Sequence, residues 1–494
     1  MGEKFDYDIG VIGGGAAGLT VTAGAAQLGA KTVLIEKEPK LGGDCLHYGC
    51  VPSKTLIRTA RAYHEMKRAE RYGLPRVIPE KVDFRRVAER IQSVIDTIQK
   101  HDSPERFCRL GAEVRFGRAR FTDEHQVELE DGQRVSAKRW VLATGSEPAV
   151  PPISGLREAG CLTNKDIFSL EALPPSLIVL GAGPIACEMA QAFQRLGCQV
   201  SVIQRSGQIL TKEDPDMASI VLESLEREGV KFHLGTEIRS VRVAGGHKEV
   251  VFAKNGREWT VKGHEILAAL GRDIATDGLG LNNAGVKHSR KGIEVDAKMR
   301  TSQKHIFACG DATGKYLFTH AAGYEGGIVV SNAVFRLPRK ADYTWLPWCT
   351  YTQPELASIG RNEAALKRDG VEYEVWTEDF AENDRAQAEG EGRGTLKLLL
   401  DGSENPLGVQ IAGPGAGDLV GEWVAALNGK VKFSTLAGAV HPYPTLAEIN
   451  KKVAGSVFSR KVFSDTVKKG LHFLFHYKGR ACEMPEEAEE GGRG

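Results

Sequence analysis

The chain has 494 residues, enough for roughly two to four domains with ample core, and its 65 Lys and Arg are matched by 64 Asp and Glu. That balance offers no basic field for nucleic acid and no acidic one for a cationic partner. No uninterrupted apolar run approaches the ~18 residues that span a bilayer. Nine scattered cysteines, an odd number without a secretory signal, point to a reducing, cytoplasmic compartment in which any disulfide is catalytic.

From Tyr7 the stretch YDIGVIG reads as a buried strand running into GGGAAG, then a helical pattern and a second strand, TVLIE, that ends at Glu36. Gly13, Gly15 and Gly18 form G-x-G-x-x-G, serving in turn a tight turn, close backbone approach to a pyrophosphate and close helix packing. The helix N-terminus offers donors and positive dipole to the phosphates, and Glu36 offers acceptors to a ribose. The three glycines alone are a weak signal. Strand, helix, strand and terminal acid together specify a dinucleotide site rather than a glycine-rich turn.

Residues 42 to 54, GGDCLHYGCVPSK, follow. Cys45 and Cys50, with four residues between them, would lie about 140° apart on an ideal helix. They pair only where the backbone is distorted, which Gly42, Gly43 and Gly49 permit. Two unrelated thiols or half a zinc site are the other readings, but no C-x-x-C or further short Cys/His spacing supports zinc. The stretch closely resembles the redox-active disulfide motif of the flavin-dependent pyridine nucleotide-disulfide oxidoreductases, and the resemblance extends over nearly the whole chain. It implies a Cys45–Cys50 redox disulfide, with Cys50 next to the flavin and Cys45 meeting the substrate, and FAD bound by its ADP half at Gly13, Gly15, Gly18 and Glu36. A positive Lys54 and a helix N-terminus would stabilise the reactive thiolate. Asp44, His47 and Tyr48 depart from the family's usual GGTC-x-N-x-GC form and alter the dithiol's surroundings.

Two amphipathic helices are predicted over 53–70 and 84–100, and short strands between about 111 and 141. WVLATG then supplies Thr144 and Gly145, which match a short family segment near the flavin. Proline-rich 148–155 reads as a linker. Beyond it the opening pattern repeats: strand, Gly181, Gly183, Ala186 in the third glycine's place, helix, strand. Gly13 to Glu36 and Gly181 to Gln204 are both offsets of 23 residues, which identifies a second βαβ dinucleotide fold. Its strand ends in Gln204 and Arg205 instead of a carboxylate. A neutral residue beside an arginine accommodates a 2′-phosphate, favouring NADPH with NADH still possible; otherwise Arg205 points to solvent. By resemblance Glu188, on the helix of this site, pairs with Lys54 beside the flavin.

TSQKHIFACGD resembles the second FAD-binding segment, with Gly310 and Asp311 at the ribityl chain, and Thr319, His320 and Ala321 open a helix along the flavin. The expected domains are therefore 1–150 (FAD, first part), 151–272 (NADPH), 273–341 (FAD, second part), 342–480 (interface) and an acidic, disordered tail, 481–494. The fold class is α/β, with two Rossmann-like domains, one split, and an α+β dimerisation domain. The resemblance implies a homodimer with shared active sites and no resident metal.

In the segment HPYPTLAE the family's disulfide reductases and dihydrolipoamide dehydrogenases carry a histidine before Pro-Thr, oriented by a glutamate five residues on. Glu448 matches the glutamate, but the histidine position is Tyr443. Histidine titrates near working pH, whereas a phenol, with a reference pKa of about 10, does not. His441 is displaced by two residues, with prolines on either side of Tyr443. Mercuric reductases carry a tyrosine at this point, so the expected electron path runs from NADPH through FAD and the dithiol to a thiophilic ion such as Hg(II), or to a small disulfide or electrophile. The alternatives are a dihydrolipoyl dehydrogenase and a redox-sensing flavoprotein without turnover, against which the intact nicotinamide site argues. Mercuric reductases commonly end in a Cys-Cys pair, where this chain has only Cys482. The aromatic and basic segment 462–479 is expected to pack on the interface domain, with a membrane-surface or partner-docking helix as the other reading.

Overall fold

The computed structural model describes residues 5–479, 481 and 482. The predicted acidic tail lies, from 483 onward, outside the described residues. Tyr7–Ile12 is apolar and buried at nearly every position, as a central parallel strand covered on both faces must be. It pairs in parallel with Thr32–Glu36 on one side and Arg134–Leu142 on the other. Ile306–Ala308, far downstream, joins the same sheet by pairing in parallel with Arg134–Leu142. Gly10 permits this closeness, since a Cβ there would lie 2.3 Å from the ring of Trp140. The indole N–H of Trp140 is satisfied by the His125 carbonyl at 2.9 Å.

Ser176–Leu180, Gln199–Gln204, Lys231–Leu234 and Glu265–Ala268 form a second, wholly parallel sheet. Its strand–helix–strand unit matches the predicted repeat. An antiparallel three-stranded sheet over 237–263 follows. The expected linker crosses between the two units, and Ser146–Pro148 pairs with Arg272–Ile274. The third layer is an antiparallel five-stranded sheet, Pro347–Thr350, Glu355–Gly360, Pro406–Gly413, Thr395–Leu400 and Glu374–Asp379 in that spatial order. Helices Ala416–Asn428 and Glu448–Val462 pack on it through Trp423, Ile449 and Val453. Among the described residues, no helix is long and apolar enough to cross a membrane.

Two differences from the sequence reading have physical causes. The first predicted helix starts at Cys50, three residues early, and runs to Lys67. Pro52 is accommodated because the first turn needs no intrahelical N–H donor there. The tail segment does not pack as expected: Asp465–Phe475 is a helix with no buried residue.

A charged knot joins the second nucleotide fold to the third layer. Lys397, 1% exposed in the middle of a strand, places Nζ 3.0 Å from Asp214, 2.8 Å from Asp216 and 2.8 Å from Glu363. Asp214 also accepts the Glu363 and Ala364 backbone N–H groups. Breaking one partner of a buried pair leaves an uncompensated charge, at a cost of about 3–5 kcal/mol. Lys397→Met, which roughly preserves volume, is therefore expected to lower the thermal midpoint of unfolding by several degrees; an unchanged midpoint would show that the knot contributes nothing.

Candidate active site

Cys45 lies on the short helix Gly43–His47, and Cys50 is the first residue of Cys50–Lys67. The loop holding them is laid directly on the first glycine-rich turn. Gly42 donates its N–H to the Gly14 carbonyl at 2.8 Å, and a Cβ on Gly43 would lie 2.7 Å from the Gly15 Cα. Gly42 and Gly43 both have positive φ, 113° and 60°, the distortion the cysteine spacing demands.

Both cysteines are free thiols in this structure, the reduced form of the expected redox pair, and each affects the protonation of the other. The effects are unequal. Cys50 is drawn down to about 6, by the hydrogen bond from Cys45 and, against the opposing effect of burial, by Thr319 and the charge of Lys54. The Thr319 hydroxyl lies 3.4 Å from the Cys50 sulfur. Cys45 is pushed up by the same hydrogen bond and by burial. At neutral pH Cys50 is the thiolate and Cys45 the proton-bearing partner.

One turn along the helix, the Lys54 Nζ donates to the Glu188 carboxylate at 2.9 Å, as the sequence reading anticipated. Glu188 is 4% exposed, and its other oxygen accepts the Tyr351 N–H at 2.9 Å. The ammonium also lies 4.4 Å from the centre of the Tyr351 ring. Phe84, on a third helix, Phe84–Gln99, sets its ring 5.5 Å from that of Phe193 in an apolar cluster that also holds Leu56 and Ala60 of the Cys50 helix.

The residues assigned to FAD fit a dinucleotide. Helix Ala16–Gln27 has neither a side-chain cap nor an acidic residue in its first turn, so its leading N–H groups are available to a pyrophosphate. A Cβ on Gly18 would lie 1.8 Å from the Gly13 carbonyl oxygen, the close packing expected of the third glycine. Glu36 accepts the Gly14 and Glu38 N–H groups, which fixes its carboxylate at the strand end. Thr144 donates to the Ala275 carbonyl, and Gly145 has positive φ beside open space. Asp311 accepts the Ser146 hydroxyl, and burial pushes its carboxyl up. Gly310 donates its N–H to the buried Glu325, and Ala321 is fully buried beside it on the helix.

At the second site, helix Pro184–Leu196 likewise has no side-chain cap and no acid in its first turn. Gly181 has positive φ, and Gly183 faces open space. Gln204 makes a 3.5 Å contact to the Gln208 carbonyl. Arg205 is exposed and makes no ion pair among the described residues.

The C-terminal residues depart from the expected arrangement. Tyr443 is 71% exposed, and its hydroxyl donates to Asp384 at 2.8 Å. That hydrogen bond pushes the phenol up. Glu448 opens helix Glu448–Val462, and no hydrogen bond joins its carboxylate to Tyr443 or His441. The orienting role expected of Glu448 is thus filled by Asp384, which lies 59 residues upstream of Tyr443 and carries no local motif. His441 pairs with Glu422 at 2.9 Å. His320 is exposed, hydrogen-bonded to the Pro347 carbonyl at 2.8 Å and stacked on Phe318. Within one chain neither Tyr443 nor Glu448 is hydrogen-bonded to the dithiol.

The departure at Asp44 is compensated. Its carboxylate lies 3.2 Å from Arg272 and accepts from Asn164 at 3.0 Å. Arg272 also donates to Ser146 at 2.6 Å, which links Asp44 to Asp311. Tyr351, Arg272 and Asp384 were not singled out from sequence, because each acts through a contact made only in the folded chain.

Comparison with known proteins identifies a family and a fold. The family model described as pyridine nucleotide-disulphide oxidoreductase matches residues 7–326, and that of its dimerisation domain matches 346–454. A dihydrolipoyl dehydrogenase of Bacillus subtilis is 34% identical over 445 residues, covering 89% of this chain and 96% of its own. A mercuric reductase of Streptomyces lividans is 32% identical over 462 residues, covering 92% of this chain and 97% of its own. The mercuric reductase of Staphylococcus aureus is 31% identical and covers 92% of this chain and 83% of its own. Among solved structures, RclA of Escherichia coli, an HOCl-induced flavoprotein disulfide reductase, superposes with a TM-score of 0.82 at 24% identity, covering 91% of this chain and 100% of its own. That likeness is one of fold.

The lowered Cys50 is directly measurable. Alkylation of the reduced protein by iodoacetamide is expected to rise with pH to half its plateau near pH 6, and Lys54→Met, by removing the positive charge, to move that midpoint upward. An unchanged midpoint would mean that the Lys54 charge does not reach the thiol.

Proposed function

We propose that this chain, which belongs to the pyridine nucleotide-disulphide oxidoreductase family, is an NADPH-dependent flavoenzyme that reduces a thiophilic metal ion such as Hg(II) through Cys45 and Cys50. Its relatives are enzymes, which sets aside the sensor without turnover. Bound FAD supplies the two-electron relay between the nicotinamide and the dithiol. The glycine turn at 13–18, Glu36, Thr144, Gly145, Gly310, Asp311 and Ala321 would hold it, with Lys54 and Glu188 beside its reactive ring. Gly181, Gly183, Gln204 and Arg205 would hold the NADPH.

The observation that carries this reading is the hydrogen bond from Tyr443 to Asp384. A dithiol substrate must shed protons, and a leaving thiolate must gain one, so either needs a group that titrates near neutrality. A phenol held above its usual range by a carboxylate stays protonated there and performs neither task. A soft cation between two thiolates has no such need. It accepts an electron pair directly, so that NADPH and Hg(II) yield NADP⁺, a proton and Hg(0). Cys50, a thiolate at neutral pH, and Cys45 provide the sulfur ligands such an ion prefers, and the Tyr443 hydroxyl can serve as a weak ligand or donor. The exposure of Tyr443 and the dimerisation domain support a homodimer in which this residue faces the dithiol of the second subunit.

The cofactor preference rests on Gln204 and Arg205. With no carboxylate at the strand end, nothing there repels a 2′-phosphate, and the arginine can pair with it. A second reading, dihydrolipoyl dehydrogenase, is favoured by one contact: His441 and Glu422 form a histidine–carboxylate pair of the kind a thiol-deprotonating base requires.

Steady-state kinetics separate these readings. Hg(II)-dependent oxidation of NADPH over many turnovers, lost in Cys45→Ser and Cys50→Ser, supports metal reduction. Turnover of dihydrolipoamide alone, abolished in His441→Ala, would replace it with the second reading. Arg205→Glu is expected to raise KM for NADPH about tenfold or more, the loss of one charged hydrogen bond, and to leave KM for NADH much less affected. An unchanged KM for NADPH would refute the assigned cofactor preference.

A further inference from the structure

The helix Asp465–Phe475 has no buried residue, although it carries some of the most apolar side chains in the described chain. Phe473 is 79% exposed, Leu474 67%, and Phe475 and Tyr477 60% each. The segment lies beyond residue 454, where the match to the family's dimerisation domain ends. We propose that it is an interfacial anchor that docks the enzyme on an anionic lipid surface.

The arrangement of side chains favours a bilayer over a protein groove. At about 100° per residue, Val467, Leu471, Leu474 and Phe475 share one sector of the helix, with Lys469 opposite and Lys468 and His472 along its flank. A groove would accept that sector. Phe473, Leu474 and Phe475 are consecutive, however, and point in three directions, so the end of the helix is apolar nearly all the way round. A groove covers one face, whereas the boundary between headgroups and acyl chains covers a tip.

Charge follows the same axis. Lys468 and Lys469 stand about 9–10.5 Å before Phe475 along the helix. With the tip inserted, these ammonium groups reach the level of the phosphates. Arg460 and Lys461, on the preceding helix, are already paired with Glu374 and Glu404, so the basic charge beside the tip is that of Lys468 and Lys469. Lys478, just past the tip, can extend its ammonium to the interface along its own stem. Tyr477 has the apolar ring and polar end suited to that depth. The glutamates at 483, 486, 487, 489 and 490 oppose the lysines, so apolar insertion supplies the binding and the lysines direct it to anionic lipid.

The test uses the full-length, FAD-loaded enzyme in flotation with vesicles of phosphatidylcholine and phosphatidylglycerol in equal parts, and with phosphatidylcholine alone. The enzyme is expected to float with the mixed vesicles at low ionic strength, and markedly less with phosphatidylcholine alone or at ~0.5 M salt. The double variant Leu474→Glu, Phe475→Glu should bind at least tenfold more weakly while keeping its flavin and its turnover with NADPH. Lys468→Glu with Lys469→Glu should remove only the preference for phosphatidylglycerol. Absence of flotation with the mixed vesicles would overturn the proposal. So would a change of the Leu474→Glu, Phe475→Glu variant from dimer to monomer in sedimentation velocity, which would make this face a subunit contact.

Discussion

The contact on which the rest of the site depends is the ion pair between Lys54 and Glu188. A carboxylate almost wholly withdrawn from water is tolerable only with a cation and hydrogen-bond donors in place, and here they come from distant parts of the chain. Lys54 belongs to the helix that Cys50 opens, Glu188 to the helix of the second nucleotide fold, and the Tyr351 N–H to the connection just after the edge strand Pro347–Thr350 of the third layer. Satisfying one buried charge therefore fixes three elements relative to one another. The same ammonium contributes to holding Cys50 ionised, so the group that secures the architecture also prepares the thiol.

The site separates charge from protons. Cys50 is drawn toward the thiolate and Cys45 away from it, through their mutual contact and, for Cys50, through Thr319 and the charge of Lys54. Elsewhere acids are paired with fixed donors: Asp44 with Arg272, Asp311 with Ser146, and Tyr443 with Asp384. This distribution suits the delivery of electron pairs to an acceptor that needs no accompanying proton.

Much of this was legible in the sequence, because the signals were local. Both glycine-rich turns, their equal spacing to Glu36 and Gln204, and the two-cysteine loop are stretches whose backbone geometry is dictated by neighbouring residues. The Lys54–Glu188 pair was reached through the family resemblance. The partners that escaped notice are joined across long separations: Asp384 with Tyr443, Arg272 with Asp44, and Tyr351 with Glu188. An aspartate in an ordinary helix start or an arginine after a glycine has no local pattern that announces its partner. The tail was misjudged for a different reason. Its amphipathic pattern shows that an apolar face exists and says nothing about what covers it.

The contact between Gly43 and Gly15 makes the dithiol loop and the first nucleotide turn a single joint, with no side chain between the two backbones to absorb movement. Occupancy of the turn and geometry of the sulfurs are then thermodynamically linked. Whatever free energy nucleotide binding gains from one state of the cysteines, that state gains equally from the nucleotide. Opening and closing the sulfur–sulfur bond should therefore change how tightly the flavin is held, making cofactor retention a function of the enzyme's redox history.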